Sequence, residues 1–222
     1  DKPSICCGMI PFHKDFHLLD AQYCSLIEPW LFCPDWAKKG SRHLKELKAM
    51  AENYCEVIEK NQDKSFFAHI SNLFSLSSDN IFYVNDRLYG EDKAIDPDLS
   101  SFNLFAGSFH ASLAIAYHLG FKTVYMVGFD AWTLQPAMNK RWYEKGEGAE
   151  FTPSNFAYDY FKILKRHMDI YTIGLGGTSR NVKSIDYEDF TGGIKPKYRE
   201  NTELMDARYL DSLAKRSFYD IY

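Results

Sequence analysis

Gly107-Ser108 and Gly128-Phe129-Asp130 are the residues of this chain whose types and settings best suit work on a ligand. Ser108 opens an apolar stretch that runs to His118 and is closed by Gly120. A serine there can cap a helix, and the N–H groups of a helix start, with its dipole, favour phosphate. The second group follows the apolar run Thr123–Val127. Gly128 lets a ligand approach the backbone, and Asp130 can hold a ribose or order its own turn. Glu28 ends another such run, Tyr23–Ile27, where its carboxylate can meet ribose hydroxyls or simply be solvated. His110, in the first turn after Ser108, has the chemistry of a general base near neutral pH, although most histidines so placed are structural.

Between Asp130 and Thr152 lie more than twenty residues without a clear period. Loops above about 12–15 residues inside compact domains are usually functional or disordered. This one holds Trp132, Lys140, Arg141, Trp142 and Tyr143, then Gly146 and Gly148, a composition that predicts a lid with hinges. Lys140 or Arg141 can neutralise a leaving phosphate, and Tyr143 can donate a hydrogen bond to it. The later run Gly174-Leu175-Gly176-Gly177-Thr178-Ser179 has no P-loop lysine and reads as a flexible turn. HExxH, GxSxG and paired-cysteine patterns are missing, so neither a dedicated metal site nor a cofactor is expected.

These residues need strands and helices to position them. Ser4–Ile10, Tyr23–Ile27 and Thr123–Val127 read as strands, with Phe66–Ile70, Ile81–Val84 and Ile170–Ile173 as further candidates. Leu44, Leu47, Ala51, Tyr54 and Ile58 form one apolar stripe on a long helix. A second helix spans Ser108 to His118. A third starts at Thr152-Pro153, with Phe156, Tyr160, Ile163 and Leu164 as its buried face. Alternating strands and helices imply a parallel sheet covered on both faces. The predicted organisation is an α/β domain over residues 1–194, with a docked helical C-terminal appendage over 195–222.

Composition narrows the partners. Net charge is −4 and no Lys/Arg run exceeds two residues, so the basic stripe of a nucleic-acid binder is lacking. The five cysteines, Cys6, Cys7, Cys24, Cys33 and Cys55, include no CxxC pair and fit reduced thiols in a cytoplasmic protein. No stretch approaches ~20 apolar residues. Aromatics reach 16%, enough to serve flat ligands such as bases and sugar rings as well as a core. The amphipathic tail leaves membrane-edge association and a homo-oligomer open.

The block FAGSFHASLAIAYHLGFKTVYMVGFDAW, Phe105 to Trp132, resembles the signature segment of the Campylobacter-type bacterial sialyltransferases. It is also similar to the related motility-accessory-factor and pterin-pyrophosphokinase-like group. TPSNFAYDYFKILKRHMDIYTI and PFHKDFHLLDAQYCSLIEPWLF extend the likeness to about two thirds of the chain. The resemblance implies a Rossmann-like, metal-independent glycosyltransferase. Its donor would be a CMP-activated nonulosonic acid, sialic- or pseudaminic-acid-like. Its acceptor would be a glycan or glycoconjugate, such as a surface glycan, lipopolysaccharide or a flagellar protein.

By the same resemblance Gly107-Ser108 holds the nucleotide and Glu28, where those enzymes have asparagine, contacts the nucleoside. Trp132 and Tyr143 take the lid positions that bind the leaving phosphate. The family's opening strand and Gly-rich loop are expected upstream of Asp1. Where the sialyltransferases carry a histidine base, this chain has Thr152, Pro153 and Ser154. His110 and then Asp130 are therefore the candidates for the base, with the leaving phosphate as the alternative. Two other readings stay open: a diphosphotransferase using ATP and Mg²⁺ with Asp130 and Glu28 as outer ligands, and a nucleotide-sugar-binding subunit without catalysis.

Overall fold

The computed structural model describes residues 2–28, 31–32, 44–84, 108–129, 137–138, 141–145, 150–151, 158–176, 178–179, 182–197, 199–215 and 220–222. Strands β1 (Ile5–Cys7), β2 (Tyr23–Leu26), β3 (Ser65–His69) and β4 (Ile81–Val84) form a parallel sheet in that order. Helix α1 (Leu44–Lys60) lies between β2 and β3 in sequence, and α2 (Ser108–His118) leads from β4 to β5 (Thr123–Val127). A short antiparallel pair follows, β6 (Ala137–Met138) with β7 (Glu150–Phe151), and then helix α3 (Tyr158–Leu164). Strands β8 (Asp169–Gly174) and β9 (Lys183–Asp186) complete a second parallel sheet, β5-β8-β9. Helices α4 (Tyr187–Thr191), α5 (Asn201–Leu204) and α6 (Ala207–Ala214) end the chain.

Strand alternation decides which side chains meet which helix. Cys6, Cys24, Leu26, Phe66, Ala68 and Ile81 point to one face, against Met50, Ala51, Tyr54, Val57 and Ile58 of α1. Ile5, Tyr23, Ile27, Phe67 and Val84 point to the other, against Ala111, Ala114 and Ile115 of α2. A parallel sheet needs both faces covered, and these two helices supply the covers. The α1 stripe expected from the sequence is found at Ala51, Tyr54 and Ile58, widened by Met50 and Val57.

Helix α2 is apolar nearly all round, as a fully buried helix should be. Its remaining face carries Phe109 and Leu113 into a second cluster with Met126, Ile170, Phe161 and Leu164. One helix thus covers parts of both sheets. Among the described side chains of α3, which do not include Tyr160, Phe161 and Leu164 are fully buried and Ile163 is half-buried. Thr152 to Phe156 lie outside the described residues.

Two strands differ from expectation. The run Ser4–Ile10 is strand only from Ile5 to Cys7. Gly8 turns to φ +60°, and Ile10–Phe12 closes into a 3-10 turn where Pro11 has no N–H for a ladder. The run Thr123–Val127 is a strand throughout, but only its Val124 and Met126 face is packed on a helix cluster. Tyr125 and Val127, 38% and 59% exposed, lie on the opposite face. There Tyr125 stacks on Tyr171 at 5.2 Å, and Lys2 Nζ sits 5.2 Å from its ring.

The tail packs inward. Met205, Leu210 and Leu213 are fully buried in the cluster on the α1 side, and Arg208 reaches Glu56 of α1 at 2.6 Å. Among the described residues no helix is long and apolar enough to cross a membrane.

Candidate functional site

In a parallel α/β sheet the ligand crevice lies beyond the carboxyl ends of the strands, where a crossover carries the chain to the other side. Here α2 is that crossover, leading from β4 to β5, so its N-terminus belongs to the carboxyl edge. Phe109, in its first turn, packs on Phe129 with ring centroids 4.7 Å apart. That contact brings the start of α2 and the Gly128-Phe129 turn together. Gly128 has φ +78° and Gly8, directly after β1, has φ +60°. Both strand exits therefore bend through a conformation that glycine adopts without strain. A Cβ at either would meet nothing within 4 Å, so their backbones stand open.

Polar groups gather on the α2 side of the four-stranded sheet. Cys7 and Ser25 are paired in register, and Ser25 is also paired with Phe67. Side chains at paired positions share a face, so Cys7 and Ser25 look toward α2, as Phe67 does. Ser25 is fully buried and its hydroxyl finds no hydrogen-bond partner among the described residues. The Cys7 thiol is pushed up to about 11 by burial and by the nearby Cys6, with the Ser112 hydroxyl pulling the other way. It remains a thiol at neutral pH and is no nucleophile there. Ser112 Oγ in turn donates to the Ser108 carbonyl at 2.7 Å.

His69 ends β3 two residues beyond Phe67, and so also faces α2. It is buried. Its Nδ1 accepts from the Ser71 backbone N–H at 3.1 Å and lies 2.7 Å from the Ser71 hydroxyl. Asn72, fully buried, fixes the surrounding loops. Its Nδ2 donates to the carbonyls of Glu28 and His69, each at 3.2 Å, while its Oδ1 accepts from the Phe32 N–H at 3.0 Å. This amide links the exits of β2 and β3 beyond their last paired residues.

The residues singled out by the sequence divide into three groups. Ser108, His110, Gly128 and Glu28 all lie at the carboxyl edge. Ser108 is the first residue of α2 rather than its cap. His110 is buried edge-on against Phe109, ring centroids 5.1 Å apart, and Glu28 is exposed just past β2. Arg141 and Tyr143 are engaged elsewhere. The Arg141 guanidinium pairs with Glu144 at 3.2 Å, and Tyr143 is buried in the cluster on the α1 side. Its carbonyl accepts from Asn201 at 3.0 Å, and the neighbouring Trp142 ring lies 5.2 Å from His13. Gly107, Asp130, Trp132 and Lys140 lie outside the described residues, as do Gly146 and Gly148.

Ser25, His69 and Asn72 escaped the sequence reading. The only signal was a polar residue inside an apolar run, which acquires meaning once the register is known. Among the described residues no His, Cys, Asp or Glu side chains gather in threes as metal ligands would. Comparison with known proteins finds no matching family model, no matching curated protein and no matching solved structure.

Proposed function

We propose that the chain is a glycosyltransferase that moves a nonulosonic acid, sialic- or pseudaminic-acid-like, from a CMP-sugar donor to a glycan or glycoconjugate acceptor. The observation that carries this reading is the Phe109–Phe129 contact, which sets the N-terminus of α2 beside the open backbone of Gly128. A helix start beside a glycine turn at the carboxyl edge suits the phosphate of a nucleotide. The resemblance of Phe105–Trp132 to the sialyltransferase signature supplies the cytidine and the sugar.

In this reading the acceptor hydroxyl attacks the anomeric carbon while the bond from that carbon to the phosphate oxygen breaks. CMP leaves with the electron pair. The hydroxyl proton passes to His110, Asp130 or the departing phosphate. Ser108 and the first N–H groups of α2 steady the charge that builds on that phosphate. Glu28 is assigned to the nucleoside and Gly107, with Ser108, to the nucleotide. No metal is assigned a part, and Arg141 and Tyr143 are left to the contacts described above.

Calorimetric titration with CMP, without metal, tests the reading. Binding that is lost in Ser108→Trp, followed by transfer from a CMP-sugar, is the expected result. Absence of CMP binding refutes it. Binding of ATP only with Mg²⁺ would move the chain to the diphosphotransferases. CMP binding with neither transfer nor donor hydrolysis would make it a binding subunit.

A further inference from the structure

Ser25 and His69 are buried polar side chains on adjacent strands, facing the same helix, close to the edge where a nucleotide would enter. A buried hydroxyl without a hydrogen bond is costly, so native proteins rarely keep one without a use. Ser25 is such a hydroxyl. His69 lies one strand over and two residues further along, a Cα separation of about 8 Å from the usual strand spacings. That distance lets two side chains reach one ligand group from neighbouring positions.

The ring of His69 has its proton placed by its surroundings. A backbone N–H can only donate, so the Ser71 N–H fixes Nδ1 as an acceptor. The neutral ring must then carry its hydrogen on Nε2 and present a donor there. Such a ring cannot take up the acceptor's proton on Nδ1 without losing the Ser71 bond. It can stabilise an oxygen that carries negative charge.

Resting on the nucleotide reading above, we propose that Ser25 Oγ and His69 Nε2 are a donor pair for a phosphate oxygen of the bound nucleotide, with α2's N-terminus beside them. Beside Ser25 the Cys7 thiol keeps its proton at neutral pH, and beside His69 the Ser71 hydroxyl is neutral. The pair acts as fixed dipoles aimed at the oxygens of the leaving group. Neither residue is the base. This adds the phosphate's ligands to a site that the sequence supplied only with a turn.

The test compares CMP with cytidine, which lacks the phosphate, by calorimetry on wild type, Ser25→Ala, His69→Ala and His69→Gln. Long-range ¹⁵N–¹H spectra of wild type, with His69 assigned by its loss in His69→Gln, report the tautomer directly. The expected result is a fall of about tenfold or more in the CMP-over-cytidine preference in the two alanine variants, the size of a charged hydrogen bond. His69→Gln, which keeps a donor, should hold most of the preference, and the free protein should carry its His69 proton on Nε2. A preference unchanged in Ser25→Ala, or a His69 proton on Nδ1, overturns the pair while leaving the nucleotide reading in place. Wild type that binds neither CMP nor cytidine overturns both. Ser25→Ala removes a group that stabilises nothing in the free protein, so its folding does not limit the test.

Discussion

Replacing Ser25 by alanine is expected to make the free protein more stable and the liganded protein no better. The hydroxyl is fully buried and has no hydrogen-bond partner among the described residues, so the folded state carries its desolvation cost uncompensated. That cost is about 1–3 kcal/mol. The small gap left by one oxygen takes back part of it, leaving a net gain of about 1 kcal/mol. In a chain of this length about 1 kcal/mol raises Tm by roughly 2–4 °C. Ligand reverses the balance. At a CMP concentration of 100 times the wild-type Kd, binding stabilises wild type by about 2.7 kcal/mol. A variant binding about tenfold more weakly gains only about 1.4 kcal/mol at that concentration, from the same relation. The advantage of the variant in the free state should therefore be cancelled with CMP present. Circular-dichroism melting with and without CMP measures both. A free variant that melts several degrees below wild type would refute the reasoning, because the hydroxyl would then be making a bond that stabilises the fold.

Asn72→Ala should lower stability by about 1–3 kcal/mol, since it removes the buried amide's bonds to the His69 carbonyl and the Phe32 N–H and its link to the Glu28 carbonyl. A urea midpoint that drops with an unchanged m-value is the expected signature; a loss below 1 kcal/mol, read by the same titration, would count against it. Gly128→Ala should cost about 1–2 kcal/mol from backbone strain alone, because φ is +78° and the new methyl meets nothing within 4 Å. Chemical denaturation beside Ser108→Ala, which introduces no such strain, separates that cost from a contact effect. The Cys7 thiol, ordinarily near 9.0, is held at about 11 by burial, so its folded-state value is raised. Its contribution to stability is present below pH 9 and lost as pH climbs from 9 to 11. Over that interval Cys7→Ala should lose less stability than wild type, and equal losses in a pH series of urea titrations would contradict the assignment.

Much of the fold was legible because its signals are local. Ile81–Val84, Thr123–Val127 and the helix Ser108–His118 are apolar stretches with turn residues close by, and each forms over those residues. The early end of β1 was not, since nothing in a run of apolar letters marks Gly8 as left-handed. Nor does such a run say which face a neighbour will cover, and so the exposure of Tyr125 and Val127 came from the structure alone. At the site, helix starts and strand exits located Ser108 and Gly128. Ser25 and His69 depend on register between strands more than forty residues apart, which no local pattern encodes. Arg141 reads as a phosphate ligand by type, and the structure pairs its guanidinium with Glu144, three residues on. The spacing was there to be read as a local pair.

Helix α2 contributes to both apolar clusters beyond α1's side, and this makes it the unit on which folding cooperativity depends. Opening either sheet strips one flank of the helix, and a stripped helix offers its other flank poorer packing. The two sheets should then unfold in one transition, with the amides of Ala111 to Ala116 exchanging only through global unfolding. A phosphate held at the N-terminus of that helix would stabilise both sheets at once, so hydrogen-exchange protection gained on binding should spread to β8 and β3 alike.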